Sequence, residues 1–109
     1  MPIIKVTGID KEIVKKVSKS MIDELQETIK CPRDYFTIEV KVNPVFIFDG
    51  EEVSPPYFIR VEWFDRGCEV RDKSASIITE AFRKEGISPL DVRFSSSEKE
   101  CYYEDGMHF

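Results

Sequence analysis

The chain has 109 residues, 41% of them hydrophobic and 34% charged, with a net charge of −5. That size and balance suit one compact soluble domain, exclude wholesale disorder, and speak against a nucleic-acid partner, whose phosphates need a basic surface. No apolar run approaches the roughly 20 residues of a membrane span and no apolar signal core opens the chain, so the expectation is a cytoplasmic protein with no membrane contact.

Pro2 directly follows Met1 and precedes the β-branched run Ile3–Val6, a predicted strand. Proline is tolerated at the first residue of a strand because it has no N–H to offer a ladder. Removing Met1 would also make Pro2 a free secondary amine, a base that no internal residue supplies. The opening residues leave both readings standing. Asp10 then reads as a helix N-cap, with Ile9 and Val14 placed as a hydrophobic staple. Ile13, Val14, Val17, Met21, Ile22, Leu25 and Ile29 recur at helical spacing, and Pro32 helps to stop that helix. Phe36, Ile38, Val40 and Val42 alternate with polar residues as in a strand with one buried face. Asp49-Gly50 is a hairpin-type turn.

The second half of the chain follows the same plan. "IIKV" is answered by "FIRV" at Phe58–Val61, and "FIFDG" by "YYEDG", at an offset of about 55 residues, which suggests an internal repeat. The predicted units span about residues 2–54 and 57–109 of a single domain. Asp65 is the candidate cap of the second helix. Val70, Ile77, Ile78, Ala81 and Phe82 form its stripe, and Gly86 with Ile87 its C-terminal stop. Val92 and Phe94 carry the last long strand, and Asp105-Gly106 a second turn. A strand–helix–strand unit implies parallel pairing by a right-handed crossover. The predicted class is therefore α+β: two β-α-β units forming a four-stranded sheet, two helices on one face, and short extra strands. The other, largely β-branched face is left bare, from which self-association is expected. Cys31, Cys68 and Cys101 show no CxxC spacing and read as reduced, packed, inert thiols. His108 is the sole histidine, so no metal and no cofactor are expected.

Pro2 after Met1, the doubled unit, the chain length, "ISPLDV" before the last long strand, and the stretches "FDGEEV" and "WFDRG" together resemble the tautomerase superfamily, which includes 4-oxalocrotonate tautomerase and macrophage migration inhibitory factor. The resemblance is strongest to a bacterial branch with fused β-α-β pairs. It implies a homotrimer in which the terminal proline shuttles a proton on a small keto or enol carboxylic acid. Pro2 matches the proline. Arg66 and Arg93 match arginines that bind carboxylate, Arg93 reaching the proline of a neighbouring subunit. Lys30 loosely matches a lysine near the proline. Tyr57 stands where the second unit would need its own terminal proline. The alternative reading is a non-catalytic trimeric binding protein of the same fold. Beside these roles, Arg66 and Arg93 also read as surface arginines paired with Asp65 or Glu62. Trp63 and Phe64 read as core or subunit contacts, and Glu39 and Glu62 as outward-facing strand residues.

Overall fold

The computed structural model describes residues 2–108. It runs β1 (Ile3–Thr7), α1 (Lys11–Ile29), β2 (Thr37–Val40), β3 (Phe46–Phe48), β4 (Glu51–Val53), β5 (Phe58–Trp63), α2 (Cys68–Arg83), β6 (Asp91–Ser96), β7 (Tyr103–Glu104) and β8 (Met107–His108). The main sheet has the order β2-β1-β5-β6. The outer pairs β1/β2 and β5/β6 are parallel, and the central pair β1/β5 is antiparallel. Each half of the chain thus supplies one parallel pair and one helix, and the helices pack against each other on a single face of the sheet. A hydrogen bond closes each pair at its start. Thr37 N–H donates to the Pro2 carbonyl at 3.1 Å, and Asp91 N–H donates to the Tyr57 carbonyl at 3.2 Å.

The helix ends follow local chemistry. The Asp10 carboxylate accepts the Glu12 N–H at 2.9 Å, and both staple residues, Ile9 and Val14, are buried. α1 stops before Pro32 acts. Lys30 adopts a left-handed conformation (φ 61°) and its N–H returns to the Gln26 carbonyl. The expected cap of α2 sits two residues early. Gly67 holds the cap position, and Asp65 accepts the Gly67 N–H at 2.8 Å while pairing with Arg71 at 3.1 Å. At the far end of α2, Ile87 N–H reaches the Phe82 carbonyl and Gly86 N–H the Arg83 carbonyl. This is a Schellman stop with Ile87 buried behind it. The two small hairpins turn at Asp49-Gly50 and Asp105-Gly106, where all four residues have positive φ, as a primed turn requires.

Burial alternates along the strands. Ile4, Val6, Ile59, Val61 and Trp63 face the helices and meet Val14, Val17, Met21, Leu25, Ile78 and Phe82 in one core. Ser74 fills the gap in the α2 stripe and is fully buried. The sheet's other face is open, as expected, but its composition is not. Ile4, Val6, Ile59 and Val61 turn inward, and beside Ile3, Thr7 and Phe58 the open face carries Lys5, Glu39, Arg60, Glu62, Asp91 and Arg93. Lys5 and Glu62 are paired there at 3.1 Å. Exposed apolar side chains gather instead in and beside the hairpins, at Val45, Ile47, Phe48, Val53, Tyr103 and Met107. No helix among the described residues is long and apolar enough to cross a membrane.

Candidate active site

Pro2 sits at the start of a central strand. Continuing the β1/β5 register past Ile3 and Glu62 sets it opposite Trp63. Its carbonyl is fixed by Thr37, and the residue is under 2% exposed. Burial disfavours the charged form of an amine, so a free amine at this place would be held toward neutrality. The expected removal of Met1 concerns a residue outside those described.

Arg66 leaves the end of β5 and folds back over it. Its guanidinium lies 5.6 Å from the Trp63 ring centroid and donates to the Phe64 carbonyl. Trp63 is fully buried against Phe94 (centroids 4.9 Å apart), and its indole N–H has no hydrogen-bond partner among the described residues. The connection from α1 to β2 returns to this same end of the sheet and carries exposed Lys30 and buried Cys31. Burial pushes the Cys31 thiol pKa up, and the positive charge of Arg66 works against that. Phe64 stacks edge-on with Tyr102 at 5.4 Å, and the Lys99 ammonium stands 5.8 Å from the Phe64 ring centroid.

One chain therefore gathers Pro2, Lys30 and Arg66 at one end of the sheet, but not Arg93. Register pairs Arg93 with Arg60, and Arg60 with Lys5, three positions along β1 from Pro2. That is roughly 10 Å at the rise of a strand, and Arg93 lies on the open face. Four surface cavities also lie elsewhere. The largest, about 530 Å³, is at the opposite end of β1, beside Gly8, Lys11 and Asn43. None of the four touches Pro2, Lys30, Arg66 or Arg93. Among the described residues no three His, Cys, Asp or Glu side chains cluster as metal ligands would.

The cysteines require a correction. All three are free thiols, but only Cys31 is packed; Cys68 and Cys101 are exposed, the former at the first residue of α2. The Trp63 N–H and the Tyr102–Phe64 contact had no signal in the sequence. They depend on which side chains the turn after β5 and the chain after β6 bring together.

The sequence pattern described as a Domain of unknown function (DUF1904) matches residues 1–108. A crystal structure of such a domain from Sebaldella termitidis is 42% identical, with a TM-score of 0.89 and full coverage of both chains. More distant structures share the fold alone. The protein Pt0534, inactivated by 2-oxo-3-pentynoate, is 19% identical over 98% of this chain and 93% of its own, with a TM-score of 0.74. A fused 4-OT, an asymmetric trimer, is 13% identical over 97% and 94%, with a TM-score of 0.77. A homologue of macrophage migration inhibitory factor from Prochlorococcus marinus, 12% identical over 98% of both chains with a TM-score of 0.75, has it as well. No curated protein matches the chain.

Proposed function

The chain belongs to the DUF1904 family, and on that premise we propose that it is a tautomerase-like enzyme. It moves a proton on a small keto or enol carboxylic acid with Pro2 as base. The observation that carries this reading is the place of Pro2: buried, tied through its carbonyl, and at the sheet end where Arg66 also stands. With Met1 removed, the proline nitrogen has a free lone pair; joined to Met1 it is an amide and not basic. The neutral amine takes a proton from the carbon beside the substrate carbonyl and returns it at another position. Arg66 and Lys30 supply positive charge for the carboxylate and for the developing enolate oxygen. Arg93, distant in its own chain, serves the Pro2 of a neighbour in a homotrimer.

A second reading has its own support. Pro2 is closed off within one chain, and the cavities described lie away from it. That favours a non-catalytic trimeric binding protein of the same fold.

Two preparations decide between them, one beginning at Pro2 and one retaining Met1. The enzyme reading expects only the first to accelerate ketonisation of an arylpyruvate enol. It also expects only the first to gain the full mass of one 2-oxo-3-pentynoate per chain, mapped to Pro2. Equal rates from both preparations remove Pro2 as the base. No rate and no adduct from either supports the binding protein.

A further inference from the structure

Pro2 is shut away within the chain, and the reaction proposed for it needs a way in. Register sets Pro2 opposite Trp63, and the burial of both puts them on the helix side of the sheet. Over the Trp63 ring lies the Arg66 guanidinium, 5.6 Å from its centroid, with Nη1 donating to the Phe64 carbonyl. That carbonyl stands on a fixed stretch of chain. The Ser97 N–H donates to the Trp63 carbonyl at 2.7 Å, the Phe64 ring is buried, and Tyr102 closes on it edge-on at 5.4 Å. Arg66 itself is only half-buried. Among the described residues no carboxylate pairs with it, and the adjacent Asp65 is taken by Arg71 and by the Gly67 N–H. What holds the guanidinium is a π face and a neutral carbonyl. A carboxylate is a better partner, since a charge-assisted hydrogen bond is roughly twice as strong as a neutral one and the arginine fork takes both oxygens at once.

From this geometry we infer that Arg66 is a specificity latch: it covers Trp63 and the Pro2 corner in the empty protein, and a substrate carboxylate draws it off. The inference rests on the enzyme reading for the identity of the ligand and adds how the site selects it. A carboxylate offers two anionic oxygens to the fork, so the Phe64 carbonyl loses the competition. An ester or an amide offers only another neutral carbonyl and leaves the latch shut. The released guanidinium stays with the carboxylate, so binding the charge and opening the corner are one event. Acids are thereby chosen over neutral ketones twice, once by attraction and once by access. The closed corner of the single chain is then the resting state of the site.

Trp63 is the chain's one tryptophan, so its fluorescence reads the latch directly. In protein beginning at Pro2, Trp63 should be shielded from acrylamide, and 2-oxobutyrate should raise its quenching. The neutral control, 2-oxobutanamide, should need about tenfold or more concentration for the same rise, the span of a hydrogen bond to a charged group. This comparison needs no variant. Arg66→Gln and Arg66→Lys should each raise quenching with no ligand present and blunt the response to the acid. Arg66→Lys keeps the charge but not the planar fork, so a change shared by both variants belongs to the latch rather than to net charge. An arginine that only binds carboxylate would leave Trp63 as shielded in folded variants as in wild type. That result, an equal response to acid and amide, or no response to the acid overturns the inference. Ketonisation of an arylpyruvate enol without any change in quenching fails the latch and spares Pro2. A quenching change specific to the acid, without ketonisation, sustains the latch and fails Pro2 as the base.

Discussion

Burial holds the Cys31 thiol protonated, with the Arg66 guanidinium pulling the other way. Iodoacetamide should therefore alkylate exposed Cys68 and Cys101 in the native protein, and Cys31 only on unfolding, as peptide mass mapping would read. The stability consequence has a definite sign. The unfolded thiol ionises near its ordinary pKa of about 8.5 and the folded one higher, so this group costs stability as pH rises above about 8.5. Denaturation midpoints should fall there for wild type and fall less for Cys31→Ala. Arg66 lies beside the same cluster. Arg66→Ala should weaken a keto-acid analogue by about 1.5–3 kcal/mol, measured by titration of processed protein. Unchanged affinity would leave Arg66 as a cap on the Trp63 ring. That Arg66 stands just past a strand was legible from its place in "WFDRG". The burial of Trp63 and Cys31 was expected too; the exposure of Cys68 and Cys101 was not, because a lone thiol reads the same in sequence whether it is packed or exposed.

At the scale of the element, the polar break in the α2 stripe is its weakest point. The Ser74 hydroxyl is fully buried without a hydrogen-bond partner among the described residues. Ser74→Ala should stabilise the protein by about 1 kcal/mol, since it removes an uncompensated desolvation and improves helix propensity. A lower denaturant midpoint would mean that the hydroxyl is satisfied in solution. Lys30 ends α1 in a conformation that costs a side-chain residue about 1 kcal/mol. Lys30→Gly should raise stability by about 0.5–1 kcal/mol in chemical denaturation. If Lys30 also meets substrate, the same variant loses keto-acid affinity, separating its two roles. The helices were legible because their periods are long and regular. The α2 cap was misplaced because Asp65 is a good capping residue that instead closes a turn onto Gly67. The open face was misjudged for a different reason. Alternation reveals that a strand has two faces, but not that most positions between the open-face ends of the central strands carry charge: Lys5, Arg60 and Glu62.

For the whole molecule, the sheet order explains why Pro2 and Arg93 are apart. The central antiparallel pair sets the start of β1 against the end of β5, while Arg93 stands mid-strand on the open face. An assembly of chains would be needed to bring the two together. The exposed apolar hairpin side chains give such an assembly a surface to bury. Light scattering at micromolar concentration should report a mass near three chains. Mixed refolding of Pro2→Ala with Arg93→Ala chains should restore part of the activity that each lacks alone, because some interfaces then join an intact Pro2 to an intact Arg93. Absence of rescue, with mixed trimers shown by mass, would put both residues in one chain's duty or neither. The paired hydrogen bonds Thr37–Pro2 and Asp91–Tyr57 carry one more consequence. They mark two equivalent corners of the sheet, built alike and differing in what occupies them: one residue that processing can turn into an amine, and one locked inside the chain between two peptide bonds. A ring of three would have six such corners and at most three amines. On the proposed function, the Tyr57 corners keep the scaffold's geometry without the amine, so core packing alone constrains them while the Pro2 corners answer to chemistry as well.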